Sequence, residues 1–197
     1  MVFEIFFIIV LISFGVLMDS VERGYDYLED NTLFYGEIPH RRAVEIADYE
    51  FFWDNLNELA PFGSEEGYIA FTELAQWMRN NPQVLMIEYV KWVLECWDIK
   101  FEDFDDSIIE PESICKIIND LDFDEELMML DVTIIGSGFG QLVLKGRIDE
   151  NIKNVIHLSL LRQMNSYVLD AFLGAEEEMK YERYLYLQKL LEILEDA

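Results

Sequence analysis

Between Gln83 and Trp97 only Gln83, Glu88, Lys91 and Glu95 are polar, and the last three fall at spacings of three and four. Such spacing gathers them into one narrow stripe of a helix and leaves every other face apolar. A helix of that kind is normally wrapped by neighbours on several sides. The sequence therefore predicts a mainly α-helical domain built around a central buried helix at about 84–97. The preceding stretch predicts its partner. Ser64 is placed to cap a helix with Glu65 and Glu66 in its first turn, and Phe71, Leu74, Ala75 and Met78 give it an inner face. Arg79-Asn80-Asn81-Pro82 would turn the pair into a hairpin.

A chain of 197 residues with 52% hydrophobic side chains has enough apolar material for one real core, which argues against intrinsic disorder. Forty acidic against fourteen basic residues give a formal charge of −26. That imbalance disfavours direct nucleic-acid binding, which depends on Lys and Arg displacing counterions from phosphates. Anionic membranes are disfavoured for the same reason, and a basic protein partner or cations fit better. Cys96 and Cys115 lie far apart and offer neither a disulfide framework nor a zinc motif, so a reducing, cytoplasmic setting is expected.

Residues 1–18 form a hydrophobic N-terminal segment, and 19–197 are expected to form a single acidic, mainly helical domain. The apolar run at 5–18 is shorter than the roughly 20 residues of a membrane-crossing helix, and it has no flanking Lys or Arg to orient it. A membrane anchor or uncleaved signal, a core-packed element, and an extension upstream of a start at Met18 all remain open, with membrane attachment not favoured. Further on, the pattern predicts a helix at 19–30, a loop at 31–39 and a helix at about 42–59 stopped by Pro61-Phe62-Gly63. A short amphipathic helix should begin near Pro111, and a long helix should run from Asn151 to Gly174. A last helix from Glu176 to about Leu194 carries Tyr184, Leu187, Leu191 and Leu194 on one face, for docking on the domain or for a homodimer.

Residues 131–146 give the one β signal. Two runs rich in Val, Ile and Leu flank Gly136-Ser137-Gly138-Phe139-Gly140 and predict a β-hairpin. A dinucleotide fingerprint would place its third glycine where Gln141 stands, and a strand rather than a helix is expected to follow, so that reading fails. Asp120, Asp122, Asp124 and Asp131 occupy positions 1, 3, 5 and 12 of a calcium loop, but Glu125 replaces the glycine needed at position 6. His40 and His157 have no nucleophile or carboxylate at a suggestive spacing. No catalytic residue, cofactor or metal ligand is assigned.

Charge remains. Residues 98–126 hold twelve acidic side chains against Lys100 and Lys116, a concentration that an ordinary soluble surface avoids by interspersing signs. Phe101, Phe104 and Phe123 lie among them, and aromatic anchors inside a charged patch suit a binding hot spot. The expected partner-binding residues are Phe101, Asp103, Phe104, Asp105, Asp106, Asp120, Asp122, Phe123, Asp124, Glu125 and Glu126. The corresponding expectation is a non-enzymatic acidic protein that neutralises a basic protein partner, of the toxin-immunity or inhibitor type. Two alternatives belong to other classes: a carboxylate-rich hydrolase dependent on a divalent metal, and a membrane-tethered acidic adaptor.

Overall fold

The computed structural model describes residues 33–119 and 124–197, apart from the side chains of residues 117, 119 and 124–128. Residues 33–197 form one compact unit. The readings made for 5–18 and 19–30 lie outside the described residues.

Phe34 and Glu37 close a tight turn through reciprocal backbone hydrogen bonds, with Tyr35 at φ 48° and Gly36 at φ 83°. Two successive positive φ values are what such a turn demands, and glycine takes the second without strain. The turn drops Phe34 into the core, where its ring meets Tyr35, Trp53, Phe62 and Phe71 edge-on. Helix α1 (Arg41–Ile46) and helix α2 (Glu50–Trp53) follow. One helix was expected over 42–59, but Tyr49 is extended, and the indole N–H of Trp53 donates to the Ala47 carbonyl at 2.8 Å. That side chain takes over a carbonyl at the end of α1 and lets the chain break.

Helix α3 (Glu65–Asn80) starts where Ser64 predicts, with the Ser64 hydroxyl accepting from the Gly67 N–H. Helix α4 (Met86–Cys96) completes the helical hairpin. It is not the centre of the domain. Met86, Tyr89, Val90, Val93 and Leu94 are buried, whereas Leu85 is 63% exposed and Trp92 44% exposed. Apolar composition all round a helix does not by itself ensure that neighbours cover it.

After helix α5 (Pro111–Asn119) comes helix α6 (Asp124–Lys145), which occupies that central place. The β-hairpin expected at 131–146 does not form, because residues 131–145 belong to α6. From Leu130 to Val143 every residue but Thr133 is buried, so the alternation that separates strand from helix never appears in the sequence. Tertiary burial then overrides the weak β preference of Val, Ile and Thr. The glycines serve the packing. A β-carbon at Gly136 would sit 3.1 Å from that of Ala70, and one at Gly140 would sit 3.0 Å from Leu74 Cδ2, both on α3. A β-carbon at Gly138 would be 2.3 Å from Cδ1 of Ile156 on helix α7 (Glu150–Gln163). Gly136 and Gly140, four residues apart, thus admit α3 on one side, and Gly138 admits α7 on another. Gln141, at the position a dinucleotide fingerprint reserves for glycine, accepts from the Asp149 N–H at 2.9 Å and ties off the turn into α7.

The long helix expected over 151–174 is broken at Met164 and Asn165. Asn165 caps helix α8 (Ser166–Leu173), and Gly174 ends it at φ 56°. Helix α9 (Glu177–Asp196) then returns across the start of the unit. Arg183 donates to the Leu59 carbonyl, Asn57 to the Tyr186 hydroxyl and Arg42 to the Asp196 carbonyl, while the rings of Phe51 and Tyr186 stack at 4.2 Å. Leu187, Leu190, Ile193 and Leu194 of α9 lie in the core. The described residues contain helices and a lone bridge between Phe34 and Glu37, and no described helix is long and apolar enough to cross a membrane.

The close approach at Gly138 can be tested by a double-mutant cycle. Gly138→Ala should destabilise the protein by about 1–3 kcal/mol through overpacking. In an Ile156→Ala background the same substitution should become neutral or stabilising, by up to about 1 kcal/mol, because alanine is the better helix former. Urea unfolding of the four proteins measures the coupling.

Candidate partner-binding surface

The acidic segment begins with a reversal. The Asp98 N–H donates to the Glu95 carbonyl and the Ile99 N–H to the Leu94 carbonyl, while Asp98 itself takes φ 55°. This is the paired hydrogen-bond pattern that closes helices through one left-handed residue, and aspartate is among the few side chains that tolerate the conformation. The chain leaves α4 and crosses two short 3-10 turns, Phe101–Asp103 and Asp106–Ile109. Asp105 caps the second turn by accepting from the Ser107 N–H at 2.9 Å. The Ser107 hydroxyl and N–H together hold the Asp105 carboxyl below its ordinary range.

Inward and outward side chains separate cleanly along this path. Phe101, Ile108 and Ile109 pack against the core, and Phe104 is buried within it at 3% exposure. Outward stand Asp98, Glu102, Asp103, Asp105, Asp106, Glu110 and Glu112, all exposed. Among the described residues none of these seven carboxylates is in an ion pair. Elsewhere some surface acids are matched locally, Glu45 with Arg41, Glu88 with Lys91, Glu150 with Lys153, Asp170 and Glu177 with Lys180, and Glu192 with Lys189, while among the described residues others such as Glu50, Glu65 and Glu178 are not.

Two cations hold the segment's rings. The Lys91 ammonium lies 5.9 Å from the centre of the Phe101 ring, and the Arg162 guanidinium lies 5.2 Å from that of Phe104. Arg162 is itself fixed from behind. Its Nε donates to Asp131 Oδ2 at 3.0 Å, its Nη2 donates to Oδ1 at 2.6 Å, and the Gln163 amide donates to Oδ2 at 3.1 Å. Asp131 has no exposed surface and Arg162 has 3%. Neither charge could be sustained at that depth without the other, since desolvating a lone ion costs several kcal/mol. Asp131 on α6, Arg162 and Gln163 at the end of α7, and Phe104 in the acidic segment therefore form one chain of contacts from the core outward.

Of the residues expected to bind a partner, Asp103, Asp105 and Asp106 share the exposed face. Phe101 is half-buried, and Phe104 is the internal anchor of the segment. Asp120, Asp122 and Phe123 lie outside the described residues. Asp124, Glu125 and Glu126 occupy the first turn of α6. The sequence reading missed the Asp131–Arg162–Gln163 cluster. Its signal was present: an aspartate between Leu130 and Val132 in a stretch apolar on every side requires a buried partner. The histidines have structural places, His40 capping α1 against Gly146 and His157 exposed on α7. Among the described residues no three His, Cys, Asp or Glu side chains converge in a way that could hold a metal ion.

In comparison with known proteins, no family model matches the chain. No curated protein and no solved structure is significantly similar to it.

Asp131→Asn should cost about 3–5 kcal/mol in urea unfolding, because it leaves the Arg162 charge buried without its counter-charge. The double substitution Asp131→Leu with Arg162→Met, which removes both charges, should cost far less than Asp131→Asn alone.

Proposed function

We propose that this chain is a non-enzymatic acidic binding protein that neutralises a basic protein partner, in the manner of a toxin-immunity or inhibitor protein. The observation that carries the reading is the row of seven exposed carboxylates, in no ion pair among the described residues, on a segment pinned by Phe101 and Phe104. A surface that served only solubility would intersperse such charges with basic neighbours, and this run from Asp98 to Glu112 holds seven acids against Lys100 alone. Holding them unpaired on one segment costs self-repulsion, which a basic partner relieves. Pinning also lowers the ordering cost of association, since the backbone that presents the acids is already fixed.

In this reading the acids set the rate and register of association, and the exposed ring of Trp92 supplies an apolar anchor. Trp92 lies on α4, which packs against the Phe101–Asp103 turn. Charge steers the encounter, while a desolvated aromatic contributes more of the binding energy.

The test begins with affinity capture of the partner from source cells, followed by titration of the purified pair. The Asp103→Lys, Asp105→Lys and Asp106→Lys triple variant should weaken binding at least about tenfold and flatten the salt dependence of the association rate. All three are exposed and the one local role among them is the Asp105 cap of a four-residue turn, so the circular dichroism spectrum should stay that of a folded helical protein. Full affinity in a folded triple variant, or a captured partner that is itself acidic, would end the proposal.

A further inference from the structure

Helix α4 keeps an apolar face that no element of the described residues covers. Val84 and Leu85 at its start and Trp92 further along are all exposed. Leu85 and Trp92 are seven residues apart, which on a helix sets them nearly in line and about 10 Å from each other along the axis. The Trp92 ring is held in place from below. It lies 5.7 Å from the ring of buried Tyr89, and Tyr89 in turn lies 5.1 Å from the ring of Trp77 on α3. An exposed indole that is already positioned loses little freedom when something binds it.

Acids border this apolar line. Glu88 and Glu95 are exposed about one turn before and one turn after Trp92. Glu88 reaches Lys91, whose ammonium also sits over the Phe101 ring, while Glu95 is in no ion pair among the described residues. Helical geometry places Tyr89 and Lys91 to either side of Trp92. Trp77 of α3 therefore stands beyond one edge of the face, and the acidic Phe101–Asp103 turn beyond the other. From Val84 to Asp106 seven acids face only Lys91 and Lys100.

We propose that this face of α4 seats a basic amphipathic helix of the partner. The inference rests on the proposed neutralising role and specifies the element through which the partner is held. Apolar side chains at positions i and i+7 of such a helix meet Leu85 and Trp92, the spacing by which helices are read in general. Its lysines and arginines then lie toward Glu95, Asp98 and Glu102. Charge selects this occupant over the alternatives. A second copy would bring acids against acids in a chain of net charge −26, and an anionic lipid surface would be repelled in the same way.

The probe is a fluorescein-labelled peptide of leucine and lysine, about 18 residues long so that it can form a helix, with its leucines on one helical face. Its control is an isomer of the same composition whose leucines are spread around the helix. In anisotropy titrations at physiological salt, the full chain should bind the amphipathic peptide at least about tenfold more tightly than the isomer. Trp92→Ser should reduce binding of the amphipathic peptide to the level of the isomer, and Leu85→Ser should do the same if Trp92→Ser fails to fold. Equal affinity for the two peptides, or a preference that survives both substitutions, would overturn the docking face. So would a dimer of the full chain that Trp92→Ser dissociates, since the face would then belong to a second copy. A captured basic partner that depends on Asp103, Asp105 and Asp106 but not on Trp92 leaves the neutralising role standing and removes the helix seat alone. An acidic captured partner ends the role itself, whichever peptide binds.

Discussion

Everything in the described unit depends on how closely α6 can approach its neighbours. A helix surrounded by others at ordinary side-chain separation leaves space that bulky residues must fill, whereas glycine removes the separation itself. Gly136 and Gly140 bring the backbone of α6 against Ala70 and Leu74, and Gly138 brings it under Ile156. Contacts at that range gain dispersion energy over many atom pairs, each worth little alone. They also fix the rotation of α6 about its axis. That rotation decides where Asp131 points, and hence where Arg162 and the acidic segment above it must lie.

The polar residues inside this packing act as positional constraints. Apolar side chains of similar volume can exchange places at small cost, but a bidentate pair such as Asp131 and Arg162 is satisfied in one arrangement. Gln141 does the same at the other end of α6, where its carbonyl receives the Asp149 N–H. The outer surface follows a different rule. Most of its ion pairs join residues three or four apart on one helix with at least one exposed partner, so each contributes only a few tenths of a kcal/mol, as is typical of such pairs. Their effect is to keep like charges from accumulating. Among the described residues the segment from Asp98 to Glu112 has none.

Local signals in the sequence were legible where one residue type has one physical use. Ser64 marked the start of α3, Pro111 that of α5 and Gly174 the end of α8. The mainly helical class could be read from periodicity. Rank within the core could not. α4 and α6 are both apolar around most of their circumference, and which of them is enclosed depends on helices distant in sequence. The same uniformity hid the helical nature of 131–145, because a run buried on every side carries neither the period of a strand nor that of a helix. The breaks at Asp48-Tyr49 and Met164-Asn165 depend on capping by single side chains, which propensity averages over. At the candidate surface the acids could be located in sequence, but the inward turn of Phe104 could not, since it is set by an arginine 58 positions away.

The hydrogen bonds that α9 makes to Arg42, Asn57 and Leu59 span 124 to 154 residues. A growing chain cannot form them until residues 177–196 have left the ribosome. Through most of synthesis, then, Phe51 lacks the ring it stacks on, and the core side chains covered by Leu187 and Leu190 face solvent. Helix pairs close in sequence, such as α6 with α7, can assemble as they emerge, but the earliest helices of the unit must wait for its last. The high negative charge acquires a second use in that interval: nascent chains that expose unfinished apolar surface repel one another, and association between them is slowed until α9 arrives.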